Sequence, residues 1–145
     1  MRVIVQRSLE AKCTVDGKIT GQIEKGYMLL VGFTHTDTSE IVDKMVKKIL
    51  NLRIFKDEND KMNLNIKQVN GQILSISQFT LYANPQSGNR PSFTDSMNAS
   101  DASKMYDEFN EKLRKEGMTV ETGEFGADMK IDFINDGPVT IILEF

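Results

Sequence analysis

The first third of the chain alternates apolar and polar positions in a way that predicts extended structure. Residues 1–7 form an alternating segment typical of a central strand with a buried face. Residues 13–15 and 18–20 flank Asp16-Gly17, which suits a type I′ turn because both central residues need positive φ. The continuous apolar run 27–33 then predicts a strand that is covered on both faces.

Two later segments space their apolar residues as amphipathic helices do. The first is predicted to start with Asp37 and Glu40 in a capping-box-like arrangement and to end at about Asn51. The second is predicted to have Ser100 as its N-cap and Gly117 just past its end. The apolar stripes that define them are Ile41, Val42, Met45, Val46, Ile49 and Leu50, and Ala102, Met105, Tyr106, Phe109 and Leu113.

The remaining segments predict further strands. Residues 53–55 indicate a brief strand, and residues 73–82 a longer one that leads into the loop 84–91. Two closing strands are predicted on either side of Asp136-Gly137-Pro138. Two helices among about eight strands, without repeats or low-complexity linkers, indicate an α+β domain with a strand-rich sheet or barrel-like core.

Length and composition limit the kind of protein. With 145 residues, of which 39% are hydrophobic, residues 1–145 are predicted to form one domain with a real core. No apolar run approaches the roughly 20 residues that cross a bilayer, and no secretory signal is visible, so a soluble cytoplasmic protein is expected. The lone Cys13 is expected to pack in the core. The net charge of -3 counts against a non-specific nucleic-acid binder.

The side chains that hydrolases commonly use are scarce. His35 is the only histidine and falls in a predicted loop without a nucleophile motif, so a Ser-His-Asp triad is not expected. One histidine and one cysteine argue against a tetrahedral zinc site, and the acidic loop 57–60 lacks the glycine and terminal glutamate of an EF-hand. Neither a Walker A loop nor a GxGxxG fingerprint is present. We therefore expect neither a metal nor a cofactor.

Hydroxyl and amide side chains are concentrated in one segment instead. Ser75, Ser77, Gln78, Thr80 and Tyr82 lie close together on or beside the strand predicted for residues 73–82. The pattern alone favours a half-exposed strand, with Ser77 and Thr80 on opposite faces unless a bulge intervenes.

Two segments carry a resemblance to a known family. Ser77-Gln78-Phe79-Thr80-Leu81 and Asn135-Asp136-Gly137-Pro138-Val139-Thr140 are similar to the two signature motifs of D-aminoacyl-tRNA deacylases. By itself the Asp-Gly-Pro sequence is ordinary turn chemistry, although a cis X-Pro bond there would hold two adjacent carbonyls nearly parallel. Small departures at Asp60 and Asn89 leave both motifs intact. The other matching segments are Val5-Gln6-Arg7, Leu52-Arg53-Ile54-Phe55, Lys61-Met62-Asn63, Arg90-Pro91-Ser92-Phe93 and Phe125-Gly126-Ala127-Asp128-Met129.

The resemblance implies a homodimer with its active site at the subunit interface. Gly137 and Pro138, joined by a cis bond, would enter the partner's pocket. Their carbonyls would capture the α-amino group of a D-aminoacyl adenosine and leave no room for an L side chain. Arg7 and Met129 would support this loop. Achiral glycine would escape such a filter, so mischarged glycyl-tRNA is an expected second substrate.

The resemblance assigns catalysis to Thr80, Phe79, Gln78 and Ser77, which would line the pocket for the ester carbonyl and the terminal adenosine. Either Thr80 attacks as a nucleophile, or Thr80 and the Phe79 amide polarise the carbonyl while the substrate's 2′-hydroxyl helps to activate water. We favour the second mechanism because no base is at hand for Thr80. The expected partners are the 3′ acceptor end of aminoacyl-tRNA and a second copy of the chain, without membrane or DNA. The competing hypothesis is a non-enzymatic strand-rich module that binds RNA or peptide.

Overall fold

A computed structural model describes residues 1–145. The sheet is organised around its first strand, β1 (Arg2–Val15). The N-terminal half of β1 pairs antiparallel with β3 (Gly26–Gly32), and its C-terminal half pairs with β2 (Lys18–Ile23). The predicted hairpin turn is confirmed, since Asp16 and Gly17 have φ values of 48° and 77°. The strands predicted at residues 1–7 and 13–15 are halves of this one 14-residue strand.

Parallel strands extend the sheet and bend it towards closure. β6 (Gln72–Ser77) runs parallel to β3, and β7 (Val120–Thr122) runs parallel to β6. β7 then approaches β2 so closely that a β-carbon on Gly21 would lie 2.6 Å from the Thr122 carbonyl oxygen. The result is the predicted α+β fold with a nearly closed, barrel-like sheet.

Both predicted helices are present, and Gly117 lies just past the end of the second with a φ of 90°, as predicted, but both N-caps differ from the predictions. Helix α1 (Ser39–Asn51) is capped by Thr38, because Asp37 instead accepts a hydrogen bond from the Thr34 N–H at 2.8 Å. Helix α2 (Ala99–Lys115) begins at Asn98 rather than Ser100, since the Asn98 side chain accepts from the Asp101 N–H. Neither helix is long and apolar enough to span a bilayer.

Two apolar clusters lie on opposite sides of the sheet. The larger cluster fills the space between the sheet and the two helices, and the predicted stripes of both helices face it. The smaller one fills the interior of the barrel and includes Cys13, which is fully buried as predicted. Its buried members are Ala11, Cys13, Val15, Ile23, Met28, Leu74 and Ile76.

The polar strand and the first short strand after α1 differ from the sequence prediction. The strand predicted for residues 73–82 ends at Ser77, and residues Phe79–Tyr82 form a single 3₁₀ turn. The brief strand predicted at residues 53–55 is β4 (Phe55–Lys56), which pairs with β5 (Met62–Leu64) in a small separate hairpin.

The two predicted closing strands are one 15-residue strand, β8 (Lys130–Glu144). It stays paired with β1 on both sides of Gly137-Pro138. The extra residues between the Ser8–Asn135 and Gln6–Thr140 pairs bulge out of the sheet instead of ending the strand.

Candidate active site

A cavity of about 650 Å³ lies at the carboxyl ends of the parallel strands β3 and β6, beside the N-terminus of α2. Twelve of its nineteen lining residues are hydrophobic, so its few polar groups would fix the orientation of a ligand. Ser77, Gln78 and Phe79 are among these lining residues. The cavity is therefore bounded by the segment in which the sequence concentrates its hydroxyl and amide groups.

The chain leaves β6 in a tight turn at the cavity rim. The Gln78 N–H donates to the Val31 carbonyl at 2.7 Å, and the Gln78 side chain donates through Nε2 to Thr80 Oγ1 at 2.5 Å. Because the chain turns here, Ser77 and Thr80 do not occupy alternating positions of one strand, contrary to the interpretation from the pattern alone. Thr80 is exposed beside the cavity and is not one of its lining residues.

Phe79 also contacts the loop that precedes α2. Its ring meets that of Phe93 edge-on, with centroids 5.2 Å apart, and its carbonyl accepts a hydrogen bond from Ser96 Oγ at 2.9 Å. Sequence reasoning did not assign Phe93, Ser96, Ala102 or Phe125 to the site, although all four line the cavity. Phe93 and Phe125 did fall within segments that resemble the family.

Arg7 contacts the backbone next to Gly137-Pro138, the loop that the resemblance assigns it to support. The Arg7 side chain is 4% exposed, and it donates through Nε to the Asp136 carbonyl at 2.8 Å and through Nη1 to the Ile54 carbonyl at 2.7 Å. A β-carbon on Gly137 would lie 3.0 Å from Arg7 Nη2. The Gly137-Pro138 peptide bond is cis.

Side-chain hydrogen bonds close the base of the same loop. Asn135 Oδ1 accepts from the Val139 N–H at 2.7 Å, and Asn135 Nδ2 donates to Gln6 Oε1 at 2.7 Å. Thr140 Oγ1 donates to the same Gln6 oxygen at 2.9 Å. These bonds join the two ends of the bulge to β1, so the loop has a defined place on the sheet.

The structure does not bring all the predicted site residues together within one chain. Met129 lines the cavity, where a β-carbon on Gly123 would meet its sulfur at 2.4 Å. Gly137 and Pro138 are exposed and do not line this cavity. The groups assigned to the pocket and those assigned to the chirality filter are therefore separate in the single chain.

The cavity offers hydrogen bonds rather than acid-base groups. Its only ionisable lining residue is Asp128, which is 87% exposed and accepts from Lys130 Nζ at 2.9 Å. His35 is exposed and contacts the Thr94 carbonyl outside the cavity. Burial raises the pKa of Tyr82, at the end of the turn, to about 12, so its hydroxyl is protonated at neutral pH. The arrangement suits polarisation of a carbonyl by neutral donors.

Comparisons with known proteins agree over the whole chain. The family model described as D-Tyr-tRNA(Tyr) deacylase matches residues 4–144. Proteins named D-aminoacyl-tRNA deacylase from Bacillus thuringiensis (strain Al Hakam) and Bacillus cytotoxicus are each 56% identical over 144 residues, with 99% of both chains covered.

Two solved structures have the same fold. One is the c-Myc DNA Unwinding Element Binding Protein, which has a TM-score of 0.95 and 40% identity, with 100% of this chain and 99% of that chain covered. A probable eukaryotic D-amino acid tRNA deacylase has a TM-score of 0.85 at 18% identity, covering 98% and 97%, and supports the fold alone. The resemblance carried by the two motifs is thereby confirmed, and the chain belongs to the D-Tyr-tRNA(Tyr) deacylase family.

Proposed function

We propose that this protein hydrolyses the ester bond of D-aminoacyl-tRNA, releasing the D-amino acid and free tRNA as a proofreading step in translation. The observation that carries the proposal is the cavity bounded by residues 77–79, in a chain related over its full length to named deacylases. Because the substrate belongs to translation, we expect the protein to act in the cytoplasm.

The proposed chemistry uses the turn at the cavity rim. The first N–H of a helical turn, here that of Phe79, has no partner within the turn and can donate to the ester carbonyl. Thr80 Oγ1 accepts from Gln78, which leaves the Thr80 hydroxyl proton free to donate as well. Water then attacks the ester carbon with help from the substrate's 2′-hydroxyl, and the 3′-oxygen leaves with a proton. No base lies beside Thr80, so the same contacts favour an orienting role over a nucleophilic one.

A homodimer completes the proposed site. Gly137 and Pro138 would enter the partner's cavity, bind the α-amino group through their carbonyls and exclude an L side chain. Leu30, Ile4 and Ile142 lie directly opposite one another on three adjacent strands, and Ile142 is 66% exposed. Such a contiguous apolar row is typical of a surface that a partner covers. Glycine has no side chain to exclude, so mischarged glycyl-tRNA is included as a substrate.

The test is release of the amino acid by the purified protein. We expect rapid release of D-tyrosine from D-tyrosyl-tRNA, while L-tyrosyl-tRNA stays largely intact and sedimentation gives a dimer. Thr80→Ala should lose most of the turnover, and a terminal 2′-deoxyadenosine should slow the wild type. Binding of D-tyrosyl-tRNA without hydrolysis would support a non-enzymatic RNA-binding module instead, and robust turnover by Thr80→Ala would remove Thr80 from the mechanism.

A further inference from the structure

The 3₁₀ turn Phe79–Tyr82 is not held by apolar burial, since none of its residues is buried. Its carbonyls are instead fixed by side chains from elsewhere in the chain. Ser96 Oγ donates to the Phe79 carbonyl at 2.9 Å, and Arg2 Nη1 donates to the Leu81 carbonyl at 2.5 Å. Polar contacts therefore contribute to the position of the turn, beside the contact of the Phe79 ring with Phe93.

Arg2 is itself fixed by two further contacts. Its Nε donates to Glu144 Oε2 at 2.8 Å, and its guanidinium carbon lies 4.7 Å from the centre of the Tyr82 ring. A guanidinium can make these contacts together because it is planar and has five N–H donors in a rigid arrangement. A lysine ammonium at the same place could not reproduce the stacking and both directed hydrogen bonds.

The backbone of Arg2 ties the turn to the centre of the sheet. Arg2 pairs with Gly32 on β3 and with Glu144 on β8. The turn rests on this part of β3, since a β-carbon on Gly32 would lie 3.1 Å from Leu81 Cβ. Arg2 thus connects the end of the turn to three paired strands.

We propose that Arg2 is a positioning residue for the deacylase site, holding the turn so that the Phe79 N–H and the Thr80 hydroxyl meet the ester carbonyl together. This inference rests on the proposed function. Arg2 does not line the cavity, so it acts through the Leu81 carbonyl and the Tyr82 ring rather than by touching substrate. The exposed Arg2–Glu144 ion pair contributes little by itself.

The experiment measures kcat and KM for release of D-tyrosine from D-tyrosyl-tRNA. Arg2→Met should lower kcat by about 10- to 100-fold and leave KM within about threefold, because misplacement by about 1 Å costs up to about 100-fold. Arg2→Lys should fall between Arg2→Met and the wild type. In the Thr80→Ala background, Arg2→Met should lower kcat by a smaller factor than it does in the wild type. The Thr80 hydroxyl is already absent there and cannot be misplaced.

Two matched variants separate positioning from other effects. Glu144→Gln removes the ion pair but keeps the bond to Leu81, and Arg53→Met removes an exposed arginine that contacts Asn63 on the β4–β5 hairpin. Both should keep kcat within about threefold of the wild type. Thermal melting and sedimentation of every variant show whether it is folded and what its oligomeric state is.

The outcomes are distinct. Three results would overturn the positioning role. Arg2→Met could be folded and have the kcat of the wild type, or it could lower kcat by the same factor with and without Thr80→Ala. The third result is a loss of kcat that dissociation of the oligomer explains. If Arg2→Met is unfolded at the assay temperature, Arg2→Lys decides, and full kcat in that variant overturns the inference. A wild-type protein that releases no D-tyrosine overturns the proposed function itself, whatever the variants do.

Discussion

Replacing Arg7 with methionine tests whether this buried arginine holds the Gly137 loop. Arg7 is 4% exposed, and two of its N–H groups donate to the carbonyls of Asp136 and Ile54 at 2.8 and 2.7 Å. Methionine fills much of the same apolar space but donates no hydrogen bond. Both carbonyls would lose their charged partner, and the loop would lose its support next to Gly137.

The expected cost follows from these contacts. A hydrogen bond to a charged group contributes about 1.5–3 kcal/mol, so losing two costs about 3–6 kcal/mol. Removing the buried charge of Arg7 also removes its desolvation penalty, which offsets part of the loss. We expect a net destabilisation of about 2–4 kcal/mol, which for a domain of this size lowers Tm by about 4–16 °C.

Thermal and urea melts measure the stability, and D-tyrosine release measures the site. Arg7→Met should melt earlier and release D-tyrosine more slowly even at temperatures where it is fully folded. Arg53→Met is the matched control, because Arg53 is exposed, and its loss should change stability by less than about 0.5 kcal/mol. If Arg7→Met and Arg53→Met melt within about 2 °C of each other, the buried contacts of Arg7 do not stabilise the fold as argued.

Three other substitutions test separate features. Gly137→Ala should lower the free energy of unfolding by about 1–3 kcal/mol and remove most of the D-tyrosine release, because φ is +142° and the new methyl group would lie 3.0 Å from Arg7 Nη2. A fully active variant would contradict this. Tyr106→Phe removes the hydroxyl that donates to the buried Ser75 carbonyl at 2.7 Å, and it should lower the free energy of unfolding in urea by about 1–3 kcal/mol. An unchanged free energy of unfolding would show that this hydrogen bond does not stabilise the fold. The backbone N–H groups of Lys61 and Asn59 hold the pKa of the Asp57 carboxyl below its usual range. The stabilising effect of Asp57 is therefore present above the unfolded-state pKa and is lost as pH falls through the folded-state pKa. Asp57→Asn should therefore flatten the acid-induced loss of stability below about pH 4 in urea melts, and an unchanged slope would be evidence against it.

The regular elements could be predicted because their signals are local. Apolar spacing located both helices, and Asp16-Gly17 located the first hairpin. The strand predicted through Tyr82 was too long because residues 79–82 include aromatic and threonine residues that favour strands. Contacts with residues far away in sequence, Arg2 and Ser96 among them, stabilise a turn there instead.

The candidate site could be predicted only in part for the same reason. Residues 77–79 line the cavity, and Arg7 donates to the Asp136 carbonyl next to Gly137. No local signal connects Arg2 to Leu81, which is 79 positions away. Nor does a local signal show that β8 continues through a Gly-Pro pair, because the reason is its pairing with β1 on both sides of the bulge.

The two arginines of β1 show how one strand can organise both parts of the proposed site. The pairing of β1 with β3 is regular from Arg2 to Ser8, so side chains five positions apart point to opposite faces of the sheet. Arg7 lies on the face of the buried Val3 and Val5 and reaches the Gly137 loop, while Arg2 lies on the face of Ile4 and reaches the turn with Thr80. Within one chain, side chains on opposite faces of β1 thus contact the turn and the Gly137 loop. The Gly137 of a chain does not line the cavity of that same chain. In a dimer that covers the row containing Ile4, each chain would supply one fixed turn and one fixed loop, and the precision of each composite site would come from two copies of β1.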